Sequence, residues 1–374
     1  MSYRMNEPNA RAIDLAPGWR PFRIAEIANE SSVIRSFYLE PADGLPIDPV
    51  AAGQHLPIQL HIPDQADPVM RTYTISHAPI EQRYRISVRK LGLASSHLHD
   101  AMQVGDMIAA KPPAGDFVID ARQRHHAVLV AAGVGITPML TMLGHLVAGQ
   151  QDGKPMRPVT LFYAAHSIDQ RAFDSELAEL CALAGNRLTL VRILAQSDGA
   201  HPGVDYDECG FIGPELFRRY LGFDRHDFYL CGPPPFMQAV YTGLRDLGVA
   251  DNFIHAEAFG PASLTRTSDA PPPPKPQPLP ADGEEPVLFD PSATQAIWRP
   301  GAGTLLELAE SAGLKPEFGC RAGACGACKT RLRAGAVAYV RQTSAAHGPD
   351  EILICSAVPA ARGPDDEPLV LLLA

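Results

Sequence analysis

The chain has 374 residues, 46% of them hydrophobic, and a formal net charge of −10. That length exceeds one typical core and predicts two or three domains, while the acidic balance excludes a nucleic-acid partner held through phosphate contacts. No apolar run reaches the length of a membrane span, and the N-terminal MSYRMNEPNARAIDL lacks the apolar core of a secretory signal, so a cytoplasmic protein with no membrane contact is expected.

From Phe22 to about Asp120, short alternating runs (FRIAEIA, SFYLEP, HLPIQLHI, RTYTIS, YRISVRKL) are separated by Pro, Gly and Asp. Period-two alternation with closely spaced turn signals predicts an antiparallel β-barrel over 16–121. From His126 the texture changes. The continuous apolar strands AVLVAAG, VTLFYAA, LTLVRIL and DFYLCG alternate with helical stretches such as TPMLTMLGHLV and PPFMQAVYTGLRDLG. This predicts an α/β domain with a parallel sheet over 122–262. The paired His125 and His126 read as the entrance to the first of these strands. APPPPKPQPLPADGEE cannot form a helix or central strand and marks a linker over 263–284. The remainder, 285–374, is a compact α+β block.

CRAGACGAC places Cys320, Cys325 and Cys328 at C-x4-C-x2-C spacing, with Cys355 beyond. In a reducing compartment such a set reads as metal or redox chemistry. Three ligands in one loop and a distant fourth is the plant-type 2Fe-2S spacing. The intervening Gly and Ala residues let backbone N–H groups approach the sulfurs. Structural zinc, the rival reading, more often recruits two short Cys pairs. With four cysteine ligands no iron position is open, so the centre carries single electrons and needs a donor.

Candidate donor sites lie upstream. On the RTYTIS strand, alternation sets Arg71 and Tyr73 on one side and Thr74 on the other: an Arg suited to phosphate, a Tyr to a flavin face, a Thr to a ring nitrogen. In GLASSHLHD, Ser95 and Ser96 read as an N-cap preceding a helix, which also suits a phosphate. In VAAGVGITPML, Gly133 and Gly135 open a strand-turn-helix unit where a pyrophosphate can approach, although Pro138 occupies the third-glycine region. CGPPPFM, from Cys231, closes a later strand at the edge where open α/β sheets bind ligands.

In this order the strings resemble the ferredoxin-NADP reductase family, and most closely the reductase part of flavohaemoglobins. The C-terminal block resembles a plant-type ferredoxin of the β-grasp type. The resemblance implies FAD held by Arg71, Tyr73, Thr74, Ser95 and Ser96, with Tyr73 against the isoalloxazine, Thr74 near its N5, and Arg89 alongside. His55 stands where flavohaemoglobins carry Tyr. Gly133, Gly135, Thr137 and Pro138 would hold the pyridine-nucleotide pyrophosphate. Cys231, Gly232 and Pro233 would border the nicotinamide, and Glu257 and Phe259 would close the flavin's other face. GLASSHLHD differs from the Gly-Gly-Ser phosphate loop of FMN-using reductases of the same domain order, which favours FAD.

The implied activity is an NADH-dependent oxidoreductase passing electrons through FAD and the 2Fe-2S cluster to a separate acceptor. The expected acceptor is a Rieske-type terminal oxygenase; a hybrid-cluster protein and a cytochrome P450 are the alternatives, and a non-catalytic redox sensor is the rival of another class. A monomer is expected. NADH is preferred over NADPH because Asp198 follows the third nucleotide-domain strand where NADPH-selective relatives carry Arg. Arg171 is the one cation that opposes this reading.

Overall fold

The computed structural model describes residues 18–77, 82–259, 264–267, 269, 278–363 and 367–373. No helix among them is long and apolar enough to cross a membrane.

The first unit contains β1 (Arg20–Asn29), β2 (Ile34–Pro41), β3 (His55–Leu60), β4 (Val69–Thr74), β5 (Tyr84–Arg89), helix α1 (Leu93–Asp100) and β6 (Met107–Ala110). Its strands run antiparallel in the order β4-β3-β6-β1-β2-β5. An Ile75–Ile86 bridge joins the two ends, so the sheet closes on itself. Closure explains the alternation: Phe22, Ile24, Phe37, Leu39, Leu56, Ile58, Ile86 and Val88 all point into one buried core.

The second unit contains β7 (His126–Ala132), α2 (Ile136–Gln151), β8 (Val159–Ala165), α3 (Asp174–Ala184), β9 (Leu188–Leu194), β10 (Glu208–Cys209), α4 (Pro214–Tyr220), β11 (His226–Gly232), α5 (Pro234–Asp246) and β12 (Ile254–Ala258). The sheet is parallel throughout, ordered β10-β9-β8-β7-β11-β12. Helices cover both faces, which is why the strands are apolar on both sides. Ala127, Leu129 and Ala131 pack with α2 and α3, whereas Val128 and Val130 pack with α4 and α5.

The third unit contains β13 (Glu285–Asp290), β14 (Thr294–Trp298), α6 (Leu305–Ser311), β15 (Lys329–Ala334), β16 (Val337–Tyr339), β17 (Glu351–Leu353), β18 (Ala357–Pro359) and β19 (Leu369–Leu372). Its mixed sheet, β14-β13-β19-β15-β17, packs on α6, whose start is fixed by a Thr304/Glu307 capping box.

Most of the Pro-rich segment lies outside the described residues, but its two ends differ from a free linker. Arg266 pairs with Asp251 and packs over Tyr241, and Asp269 pairs with Arg245, so this stretch lies along α5. Pro280 bridges to Ala360 and Ala281 is buried, so that end belongs to the third unit.

Candidate functional site

Three groups of residues converge where the units meet. The first is on the closed sheet. His55 and Thr74 are register partners on β3 and β4. Thr74 is buried and its Oγ1 has no hydrogen-bond partner, and the Oε2 of Glu257 on β12 is equally orphaned. Two unpaired buried polar atoms, a hydroxyl and a carboxylate oxygen, are costly unless something supplies partners. Their placement fits a heteroaromatic ring carrying N–H groups and ring nitrogens, as a flavin does. His55 Nδ1 lies 3.4 Å from Glu257 Oε1 and so links barrel to nucleotide sheet. Gly115 is required beside it, because a Cβ there would come within 2.8 Å of the His55 ring. Burial pushes the Tyr73 hydroxyl up to about 12. Arg71 is exposed and donates to the neighbouring Met70 carbonyl at 2.7 Å, which leaves the rest of its guanidinium available to a phosphate.

Ser95 and Ser96 depart from the sequence reading in position. The helix begins at Leu93 with Gly92, at φ 82°, as its N-cap, so both serines lie within the first turn. The Ser95 hydroxyl accepts from Leu91 N–H at 2.6 Å and donates to the Gly92 carbonyl at 3.1 Å. Glycine takes the cap because only it adopts that φ at no cost.

The second group is the end of the parallel sheet. β7 runs into a tight turn, Gly133–Gly135, and then α2. Gly133 has φ 55°, and a Cβ on it would lie 3.8 Å from Arg89 Nη1, so a cation from β5 sits at the turn where a pyrophosphate would lie. A pocket of about 220 Å³ opens here, lined by Arg89, Gly133, His166, Phe211, Pro233 and Phe236 among others. Gly135, Thr137 and Pro138 are buried and do not line it. A Cβ on Gly135 would fall 2.2 Å from the Cys231 carbonyl, so this glycine lets the turn pack on β11. The Thr137 hydroxyl donates to the Val134 carbonyl at 2.9 Å. Gly232 makes room for the Phe236 ring, which a Cβ would approach to 2.8 Å. Cys231 is fully buried opposite Glu257 in register, and burial drives its thiol well up. Phe259 packs at the edge of the same core.

Arg171 does not reach this pocket. The residue is 7% exposed, and its guanidinium is bonded twice to Asp174 and donates to the Asp205 carbonyl. It lines a separate polar cleft of about 740 Å³ between β1, β2, β5 and α3, whose charges, such as Arg85 with Glu176, already pair with each other.

The third group is the cysteine loop. The thiols form two neighbouring pairs, Cys320 with Cys325 and Cys328 with Cys355. Among the described residues, no three His, Cys, Asp or Glu side chains converge as ligands of one ion. Two pairs fit a two-iron centre with two thiolates per iron better than a single tetrahedral zinc. Backbone N–H groups of Ala322, Ala324 and Cys325 point at the Cys320 sulfur at 3.4 Å, and that of Gly323 at Cys355 at 3.2 Å. The Cys325 thiol and the amides of Ala322, Ala324 and Cys325 hold the Cys320 thiol below its usual value. A Cβ on Gly323, at φ 71°, would meet Thr343 Cγ2 at 2.6 Å. The loop also touches the barrel: a Cβ on Gly319 would lie 3.0 Å from the Cys325 sulfur and 3.5 Å from the Thr72 methyl on β4.

Residues 22–119 match an oxidoreductase FAD-binding domain, 129–242 an oxidoreductase NAD-binding domain, and 289–360 a 2Fe-2S iron-sulfur cluster binding domain. The FAD/NAD-binding domain of nitric oxide dioxygenase from Vibrio cholerae is 35% identical and covered over 99% of its length, with a TM-score of 0.57. The chain belongs to the ferredoxin-NADP reductase family, joined to a 2Fe-2S ferredoxin domain. It carries the three binding domains for FAD, NAD and the 2Fe-2S cluster. The flavohemoprotein of Oceanobacillus iheyensis is 36% identical over 250 residues, which is 65% of this chain. The chain spans only 60% of that protein's length. Phthalate dioxygenase reductase shares the fold over 95% of this chain and 98% of its own, at 22% identity and a TM-score of 0.55.

Sequence reasoning missed His166, Phe211 and Phe236. His166 and Phe211 follow strands as single residues with no motif around them, whereas Phe236 sits within CGPPPFM but in the first turn of α5; only the topology brings the three to one pocket.

Proposed function

We propose that this protein oxidises NADH and delivers the electrons singly, by way of its FAD and 2Fe-2S domains, to a separate redox protein. The observation that carries this reading is the seam between Thr72 and Gly319. The loop bearing the cluster cysteines rests on the same strand that presents Tyr73 and Thr74. When bound, flavin supplies the conversion of a hydride pair into single electrons, and the cluster supplies a one-electron outlet. The chain's own residues position and shield. Arg71 and Arg89 offer charge to phosphates, Tyr73 offers an aromatic face, and Thr74 and Glu257 offer the buried polar atoms. No acid–base triad is required.

The acceptor we favour is a Rieske-type terminal oxygenase in the cytoplasm, with the reductase acting as a monomer. The whole-length fold likeness to phthalate dioxygenase reductase supports this. A self-sufficient cytochrome P450 monooxygenase shares the fold over 96% of this chain, at 20% identity, and keeps a haem acceptor as the second reading.

Anaerobic titration with NADH, without dithionite, tests the electron path. The expected result is bleaching of both chromophores and the EPR signal of a reduced 2Fe-2S centre. A cluster that stays oxidised while the flavin is reduced would overturn the path. Absence of NADH turnover with ferricyanide would favour a redox sensor.

A further inference from the structure

We infer that Gln342 is a positioning residue for the passage of electrons from flavin to cluster: it ties the brace of the cluster loop to the nucleotide-binding unit through the backbone of Arg266. This rests on the electron path proposed above and adds to it a contact that orients the ferredoxin block.

The Arg266 N–H donates to Gln342 Oε1 at 3.0 Å, across 76 residues of chain. The donor is fixed in space. The Arg266 guanidinium donates to Asp251 Oδ1 at 3.0 Å and to the Ile254 carbonyl at 2.8 Å. Its neighbours are gripped by α5. Thr265 exchanges two hydrogen bonds with the Gln238 side chain, at 2.9 and 3.2 Å, and the Thr267 N–H donates to the Tyr241 hydroxyl at 2.7 Å. Arg245 Nε donates to the Thr267 hydroxyl at 3.2 Å. Gln238, Tyr241 and Arg245 recur at i, i+3 and i+7 and so share one helix face. Three successive residues are thus strapped to the second unit, and the middle one turns its amide to the ferredoxin block.

The acceptor is as firmly placed. Gln342 lies in a segment, 341–345, that braces the cluster loop. Arg341 Nη1 donates to the Arg321 carbonyl at 3.0 Å, and the Ser344 and Ala345 N–H groups donate to the Gly323 carbonyl at 3.1 and 3.0 Å. Thr343 fills the space that a Cβ on Gly323 would need. Gly323 in turn points its N–H at the Cys355 sulfur. A continuous line of bonded groups therefore runs from α5 to a cluster ligand. On the barrel side the block is held through Lys315 and Glu317, two residues apart, which form a short edge about which a rigid block can pivot. A tie to a different unit opposes that pivot. Single-electron transfer falls steeply with separation, so holding the angle of the block holds the rate. Gln342 is exposed, so truncating it opens no cavity and leaves the loop its own bonds.

Gln342→Ala and Gln342→Glu in the fully loaded protein are the test, since Glu keeps an acceptor oxygen for the Arg266 N–H. In anaerobic stopped-flow reduction by NADH, the flavin-to-cluster phase should slow roughly fivefold in Gln342→Ala, a factor set by one ordinary hydrogen bond. Gln342→Glu should restore it. Flavin reduction, iron content and the EPR spectrum of the dithionite-reduced cluster should match wild type in both variants. Hydrogen exchange on the peptide carrying Arg266 reads the tie without turnover: its amide should lose protection in Gln342→Ala and keep it in Gln342→Glu. An unchanged transfer phase in Gln342→Ala overturns the role, as does equal exchange at Arg266 in wild type and Gln342→Ala. A slowed phase accompanied by lost iron or an altered EPR spectrum also overturns it, because Gln342 would then support the cluster rather than the placement of the block. Wild-type protein whose cluster stays oxidised under NADH while the Arg266 amide remains protected would refute the electron path itself and not the tie.

Discussion

Arg171 holds Asp174 through two hydrogen bonds of 2.8 and 2.9 Å, and this fork turns it away from the nucleotide pocket. The cation that threatened NADH selectivity is therefore already committed. Asp198 is exposed four residues beyond β9, and Ser197 beside it contacts the Cys209 thiol at 3.6 Å.

A preference for NADH follows. A phosphate contact assisted by charge contributes about 1.5–3 kcal/mol, so its absence should favour NADH in kcat/KM by roughly one to two orders of magnitude. Asp198→Arg should narrow the gap chiefly by lowering the KM for NADPH. Equal kcat/KM values in the unmodified protein would show that another group, such as His166, takes the 2′-phosphate.

Thr74 gives opposite expectations for the flavin-free and flavin-loaded protein. Its orphaned hydroxyl penalises the flavin-free state, so Thr74→Val should raise the Tm of that state. In the loaded protein the same change should weaken flavin retention, by about tenfold for a contact of 1–2 kcal/mol. Arg71→Ala should also release flavin. Chromatography of the released cofactor checks the FAD assignment, and FMN alone would contradict it.

The cysteine loop should hold two irons per chain, measured by metal analysis with EPR after dithionite reduction. Cys325→Ser should abolish reduction of the protein acceptor while ferricyanide reduction by the flavin continues. Gly323→Ala forces a Cβ against Thr343 and Ser356 at a positive φ, so iron content should fall even though every ligand remains. Full iron occupancy in that variant would show that the loop has slack the close contacts deny.

Stability should fall on mild acidification. Burial lowers His99, His126, His226 and His255; for His126 burial, with His226 and Arg157 adding to it, brings the value to about 4. Asp224 opposes that shift only in part. Above the ordinary histidine value of 6.5 these groups are neutral in both states and contribute no pH dependence. Below it the unfolded chain takes up protons that the folded chain resists, so Tm should drop between about pH 6.5 and 4. His126→Gln should flatten part of that slope in melts followed by circular dichroism.

The division into barrel, parallel sheet and ferredoxin block was legible because each leaves a local mark: alternation where one face is buried, continuous apolar runs where both are, and a cysteine spacing in one loop. Barrel closure through Ile75 and Ile86 left no such mark. Neither did the fate of Arg171, which depends on Asp174 and on a carbonyl of the distant residue Asp205. Ser95 was placed outside its helix because Ser is a good cap, but the positive φ at Gly92 gave that position to glycine. The segment after β12 read as linker from its composition, yet Arg266 and Asp269 anchor it to the second unit by charge.

Two ion pairs tie the ferredoxin block to the barrel. Lys111 pairs with Glu317, and Lys315 lies 3.4 Å from Asp67; Glu317 and Lys315 are close in sequence to Gly319, which approaches the Thr72 methyl. Dissolved ions act on such pairs and leave the apolar contact alone; at 1 M salt the screening length falls to about 3 Å. Ionic strength should therefore serve as a valve on this molecule, slowing passage from flavin to cluster while hydride entry, which depends on the buried interior of the first two units, runs on unchanged.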